Sequence, residues 1–187
     1  MVVVDPSITA KTERLLLRPL KLEDADDILL IRSEEECMKY TSLVASDDIE
    51  KTKAWIQGCF DSPINWNFCI ELLPSAPQYS TESPRVIGMI GAVRAPEIGY
   101  MFNTNYWGKG YATEALKAFM PMFFDHYSGG EFERFEYSVA MTDPELVASQ
   151  SVLKKAGFKF AELREKDFES AVLGVRDTMV FKMERPT

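Results

Sequence analysis

Apolar and polar residues alternate with a period of two in some stretches of the chain and with a helical period in others. In residues 97–102, Ile98, Tyr100 and Phe102 alternate with Glu97, Gly99 and Met101. A period of two puts successive side chains on opposite faces, so this stretch predicts a strand with two distinct faces. Asn103, Thr104 and Asn105 then predict a turn. After Gly108, Lys109 and Gly110 the period changes. Ala112, Ala115, Leu116, Phe119 and Phe123 recur on one helical face, with Thr113, Glu114 and Lys117 away from it. Pro121 has no N–H to donate, which predicts a kink or a boundary near Met120. Gly129 and Gly130 close the region.

The remaining elements are read in the same way. Residues 12–20 predict a first strand, and residues 21–40 a helix with Asp24, Asp26 and Asp27 near its N-terminus, where carboxylates are favoured. Ser46, Asp47 and Asp48 can cap a second helix running to about Phe60, with Trp55 and Ile56 on its apolar side. Residues 65–73 and 85–93 predict strands, and the Pro- and Ser-rich residues 74–84 a loop between them. That pair predicts an antiparallel hairpin with an elongated connection. Residues 132–140 predict another strand. Pro144 fits the first turn of a helix over residues 148–156, which Gly157 closes. Residues 158–168 and 178–183 predict two closing strands. No repeat and no second domain is visible, so residues 1–187 are expected to form a single domain.

Composition narrows the class of protein. A chain of 187 residues is long enough to bury a proper core. Hydrophobic residues at 46% and charges at 27% are ordinary for a soluble globular protein. No apolar run approaches the roughly 18 residues a membrane span needs, so no membrane partner is expected. The first ten residues have a short apolar run and no basic segment, so no signal peptide is expected. Cys37, Cys59 and Cys69 are odd in number and lack C-x-x-C spacing, which predicts reduced thiols in a cytoplasmic protein. The single histidine, His126, makes no zinc site with them at a familiar spacing, so no metal is expected. Near a helix C-terminus it reads as a solvated or capping residue. A net charge of −8 argues against nucleic acid, whose phosphates need a basic patch. An acidic surface would instead draw cationic amines or basic peptide ends.

Strand, glycine-containing loop and helix together form a device for holding an anion. The first amides of a helix have no internal partner, and the helix dipole adds partial positive charge there. Glycines let the main chain approach a phosphate without a Cβ in the way. A pyrophosphate would therefore fit at residues 108–113, with charge added by Lys109 and a donor by the Thr113 hydroxyl. The alternative is a plain tight turn. No G-x-G-x-x-G is present, because Thr113 holds the third glycine position, and no G-x-x-x-x-G-K-[ST] occurs.

Glu97 to Phe102, EIGYMF, followed by YWGKGYATEAL resembles the signature segment of the GCN5-related N-acetyltransferases. More narrowly, it is similar to the branch that acetylates ribosomal-protein N-termini and small amines. The family loop Q/R-x-x-G-x-G/A falls on Trp107, Gly110 and Ala112, with Trp107 in place of the usual Gln or Arg. The opening strand, T-x-R-L-x-L-R-P, resembles the same branch. ASQSVLKKAGF resembles the second signature, N-x-x-S-x-x-V-L-x-K-x-G-F, with Leu146 where the family has asparagine. The resemblance covers about residues 12–184.

The resemblance implies an α/β fold: a mixed, mostly antiparallel central sheet of six to seven strands with helices on both faces. It implies acetyl-coenzyme A as co-substrate and a primary amine as acceptor, either a peptide N-terminus or a small molecule, in a monomer or homodimer. The two N-terminal helices would line the acceptor cleft. Met101 and Phe102 would offer a strand edge to the pantetheine arm. Trp107, Gly108, Lys109, Gly110, Tyr111, Ala112 and Thr113 would hold the pyrophosphate. Glu97 would be the base, or else a solvated charge at a strand start. Ser149 would support the leaving thiolate, or else cap its helix. The alternative function is a coenzyme-A-binding or interaction module without turnover, which Leu146 favours.

Overall fold

A computed structural model describes residue 5 and residues 7–62 and 65–186. The expectation about the first ten residues falls largely outside the described residues. Among the described residues, eight strands form one sheet: β1 (Ala10–Lys11), β2 (Leu15–Pro19), β3 (Trp66–Leu72), β4 (Val86–Arg94), β5 (Glu97–Phe102), β6 (Tyr137–Thr142), β7 (Lys159–Ser170) and β8 (Gly174–Glu184). Their order across the sheet is β1-β2-β3-β4-β5-β6-β8-β7. Every neighbouring pair is antiparallel except β5 and β6, which run parallel. The sheet is thus mixed and mostly antiparallel, as expected. It is one strand wider than expected because two residues, Ala10 and Lys11, pair with Leu17 and Leu16 at the edge.

The helices are α1 (Ala25–Arg32), α2 (Glu35–Met38), α3 (Ile49–Asp61), α4 (Tyr111–His126) and α5 (Val147–Ala156). They cover both faces of the sheet, and alternation along the strands explains why. Phe68 and Ile70 of β3 and Ile90 of β4 pack with Leu116, Phe119 and Phe123 of α4 and Leu153 of α5. Cys69 and Met89, one residue out of phase, pack with Ile28 of α1 and Ile56 of α3. Strands buried on both sides need apolar residues at every position, and β4 is buried from Val86 to Ala92.

Several elements depart from the sequence reading. The helix expected over residues 21–40 is a short 3₁₀ turn at Leu22–Asp24, then α1, then a separate α2. The break frees the last carbonyls of α1, and the Arg32 carbonyl accepts from the Ser46 amide. Pro121 neither ends α4 nor bounds it, since the helix continues to His126. Pro121 is exposed while Phe119, Met120, Phe123 and Phe124 around it are buried. Burial of those side chains, at about 1.5–3 kcal/mol each, outweighs one lost hydrogen bond. Pro144 lies in the turn before α5 rather than inside it, and β6 starts at Tyr137 rather than near Phe132. His126 is half-buried and caps nothing: its ring stacks on Trp66 at 4.2 Å between centroids and packs on Phe132 at 4.1 Å. The three cysteines are unpaired.

A buried ionic cluster ties β2 to α1 and to the start of β4. Arg18 donates to both Asp24 oxygens, at 2.7 and 2.6 Å, and to Glu71 at 2.7 Å. Arg85 also donates to Asp24, at 2.7 Å, and the Asp27 carboxylate accepts from the Val86 amide at 2.9 Å. At the other end of the chain, the β7–β8 hairpin folds back on α2. Its Ser170 hydroxyl donates to the Lys39 carbonyl at 2.6 Å, and the Ala171 amide donates to the Thr41 carbonyl at 3.3 Å.

Candidate active site

The one parallel contact in the sheet is short. β5 and β6 pair only at Glu97 with Val139 and Ile98 with Ala140. Beyond that point β5 stays with β4 as far as Phe102, and β6 stays with β8 as far as Thr142. The two strands therefore diverge and leave a wedge-shaped opening in the middle of the sheet. Unpaired main chain at such an edge can pair with an added extended group.

The positions facing the opening follow from alternation. In an antiparallel ladder, alternate residues turn their main-chain groups toward a given neighbour. The Phe102 carbonyl accepts from the Trp107 indole at 2.8 Å and from the Cys37 thiol at 3.6 Å, so it points away from β4. Met101, one residue out of phase, aligns with Met89 and turns toward β4. Of the two edge positions expected, Met101 thus faces the sheet, and the Phe102 carbonyl already has donors. The main-chain groups of Tyr100 share the open side.

The glycine-containing loop begins with Asn103, whose buried side chain accepts from the Asn105 amide at 3.0 Å. The chain then makes a 3₁₀ turn, Thr104–Tyr106, that closes with the Trp107 amide on the Thr104 carbonyl at 3.1 Å. Gly108 and Gly110 have φ of +72° and +83°, a left-handed region that is open to glycine. Helix α4 starts immediately afterwards. Among the described residues, none of the amides from Gly108 to Thr113 meets an acceptor. Such amides at a helix N-terminus form a site for an oxyanion.

A brace from the bend between β1 and β2 holds this arrangement. Arg14 donates to the Lys109 carbonyl at 3.1 Å and to Glu114 at 2.7 Å, and it lies over the Tyr111 ring at 4.5 Å. Thr12 donates to Glu114 at 2.6 Å. Burial works against the Glu114 charge, yet the Thr12 and Arg14 hydrogen bonds hold its carboxyl below the usual range. Lys109 itself bends back toward the Asn105 carbonyl and the Tyr106 ring. Trp107 lies at the rim, 42% exposed, whereas Tyr111 is a core residue and Ala112 packs against the core. Thr113 lines a depression of about 480 Å³ together with Thr12, Glu13, Gly110, Glu114 and Lys117 of α4, and Lys155 of α5.

Glu97 and Ser149 sit on opposite faces of the opening. Glu97 shares the face of Met101, toward α1 and α3, and its carboxylate pairs with Arg94 at 3.0 Å. Ser149 is the third residue of α5 and does not cap that helix. Its hydroxyl lies 2.9 Å from the Tyr100 phenol instead. Leu146 holds the N-cap position, with no side-chain hydrogen bond to the helix. Across the opening, the buried Thr142 hydroxyl has no partner among the described residues. Among the described residues, no cluster of three or more His, Cys, Asp or Glu residues could hold a metal. Nor is any helix there long and apolar enough to cross a membrane.

The sequence reading missed the Arg14–Glu114 brace, the Tyr100–Ser149 contact and Lys155. The first two join residues 100 and 49 positions apart, so no local pattern signals them.

Residues 14–159 match the family described as an acetyltransferase (GNAT) domain. The uncharacterized N-acetyltransferase p20 of Bacillus licheniformis is 29% identical over 184 residues, covering 94% of this chain and 95% of its own. Among solved structures, Mycobacterium smegmatis RimJ in complex with CoA-disulfide superposes with a TM-score of 0.77 at 20% identity, over 96% of this chain and 88% of its own. A GNAT-family acetyltransferase from Bacillus anthracis gives 0.76 at 22% identity, over 95% and 98%.

Proposed function

The chain belongs to the GNAT acetyltransferase family, and on that premise we propose that it moves an acetyl group from acetyl-coenzyme A to a primary amine by direct attack, with both bound at once. The observation that carries the reading is the run of free amides from Gly108 to Thr113, next to an open strand edge. The amides and the dipole of α4 fit a diphosphate, and Lys117 and Lys155 fit a further phosphate at the rim. The Tyr100 main chain fits an amide-bearing arm laid in the opening.

A thioester is already activated, so the protein's task is mostly to align the partners. Glu97 takes the proton that the attacking ammonium must lose, directly or through water. Ser149, on the opposite face, donates a hydrogen bond to the departing sulfur. A net charge of −8 steers a cationic acceptor toward the protein. A peptide α-amine, with a pKa of about 7.7–8.0, asks less of the base than a lysine at about 10.4. The acceptor class proposed is therefore a peptide N-terminus or a small amine of similar basicity.

Leu146 at the uncapped start of α5 favours a second reading, a coenzyme-A-binding module without turnover. Thermal melting with acetyl-coenzyme A, followed by thiol release over a panel of amines, separates the two. Stabilisation with thiol release supports the enzyme, and stabilisation without release for any amine supports the module. No stabilisation removes both. Glu97→Gln should lower turnover while leaving coenzyme A binding intact, and full turnover in that variant would end the role of Glu97.

A further inference from the structure

Two hydroxyls meet at the opening between β5 and β6, and the reading above employs only one of them. The Tyr100 phenol lies 2.9 Å from the Ser149 Oγ and 3.3 Å from the Ser149 carbonyl oxygen. Each hydroxyl has one proton to donate, so two arrangements satisfy this geometry. In one, Tyr100 donates to the carbonyl and Ser149 donates to the phenol oxygen, which turns the serine proton inward. In the other, Tyr100 donates to the Ser149 Oγ, which leaves the serine proton free to point into the opening. Negative charge developing in the opening selects the second, because hydroxyls aligned toward it polarise one another.

We propose that Tyr100 is a positioning residue for thioester cleavage: it donates to the Ser149 Oγ and so aims the serine proton at the departing sulfur. The inference rests on the acetyl-transfer reading and on the role of Ser149 within it. In the step served, the amine lone pair forms the N–C bond, the C–S bond breaks, and its electron pair stays on sulfur. The proton of the amine leaves toward Glu97 or water. Ser149 shares its proton with the sulfur without giving it up, and Tyr100 keeps its own. The site suits this, since burial pushes the phenol up to about 12 against the opposing Ser149 hydrogen bond, so Tyr100 remains a donor near neutral pH. The separation of 49 residues ties the contact to the closed fold, with the phenol from the sheet and the serine from α5.

The test uses coenzyme A itself as the probe, on the full chain. Its thiolate absorbs in the ultraviolet, so a pH titration of the complex reads the bound thiol without any amine. The bound thiol should ionise at lower pH in the wild type than in free solution. Tyr100→Phe keeps the ring and removes the hydroxyl. It should raise the bound thiol's ionisation by about half to one pH unit, the size of one hydrogen bond. With a working amine, kcat should fall roughly three- to tenfold, with KM for acetyl-coenzyme A unchanged. In a Ser149→Ala background the same substitution should add nothing, because the two hydroxyls act as one unit. Equal losses in both backgrounds, or no change in either readout, would overturn the proposal. If Tyr100→Phe folds poorly, 3-fluorotyrosine at position 100 supplies a stronger donor and should lower the thiol's ionisation instead. An unmoved titration with that residue also overturns the proposal. Failure of coenzyme A to bind would remove both the acetyl-transfer reading and this inference. A titration that shifts as expected without acetylation of any amine would remove the transfer reading and with it the role in thioester cleavage, leaving only the hydroxyl pair's hold on the bound sulfur.

Discussion

Gly110→Ala tests the loop on which coenzyme A binding is proposed to rest. Gly110 has φ of +83°, and a Cβ built there meets only the Arg14 Nη2, at 3.5 Å. That distance is ordinary contact, so the substitution has room. Its cost is conformational: a left-handed backbone costs an L-residue about 1–2 kcal/mol. In a domain of this size each kcal/mol moves Tm by roughly 2–4 °C, so the expected fall is about 2–8 °C. Two responses are open to the loop. It can keep its shape, in which case Tm falls and acetyl-coenzyme A affinity is unchanged. Alternatively it can relax, in which case the bare protein recovers stability and the affinity falls by about five- to thirtyfold, the same free energy expressed in binding. Melting at saturating acetyl-coenzyme A should show the full loss in either case. The control is Gly58→Ala, at an exposed site inside α3 with nothing within 4 Å of the new Cβ. It should raise Tm by roughly 2–4 °C, because alanine is favoured over glycine in a helix by about 1 kcal/mol. The reasoning fails if Gly110→Ala lowers neither Tm nor affinity, or if both variants shift Tm in the same direction.

Three further outcomes are expected. Asp24→Ala takes from Arg18, whose side chain is 10% exposed, its bidentate partner and leaves it only Glu71, so it should cost about 1.5–3 kcal/mol, seen as a lower urea midpoint with an unchanged slope. Asp143 is held below the usual carboxylate range by hydrogen bonds from Arg176, and Asp24 by Arg18 against the pull of burial. A carboxyl whose folded value is depressed contributes stability that is present above its unfolded value, near 4, and lost as pH falls through the folded one. Acid titration of stability should therefore be flat above about pH 5 and fall steeply below pH 4, and Asp143→Asn should make that fall shallower. Lys155→Glu reverses a charge on the rim of the depression beside Thr113 and should weaken acetyl-coenzyme A binding at low salt. An affinity unaffected by the reversal in low-salt calorimetry would exclude Lys155 from that role.

Local pattern made the strand, loop and helix of residues 97–126 legible. Alternation in β5, left-handed glycines in the loop and a helical apolar face in α4 are short-range signals that tertiary packing here reinforces. The opening between β5 and β6 was legible only through family resemblance, because where two strands part depends on what each pairs with elsewhere. The break between α1 and α2 was missed because Ser33 to Glu36 is compatible with a helix. The break follows from distant partners, Ser46 on the Arg32 carbonyl and Phe102 on the Cys37 thiol. Pro121 misled for the opposite reason: a strong local signal was overridden by the aromatic side chains buried on either side of it. Tyr100 read only as one position in the alternation of β5, since nothing near residue 100 reveals a serine on α5.

Ser170 joins the last hairpin of the sheet to the second helix of the chain. Its oxygen donates to the Lys39 carbonyl and accepts from the Val172 and Leu173 amides, at 3.1 and 2.9 Å. One hydroxyl therefore holds together segments that lie 131 residues apart along the chain. Fraying of the hairpin tip releases α2 at the same moment, so the two should open as a single cooperative unit, with amides near Thr41 and Leu173 exchanging their hydrogens at a common rate.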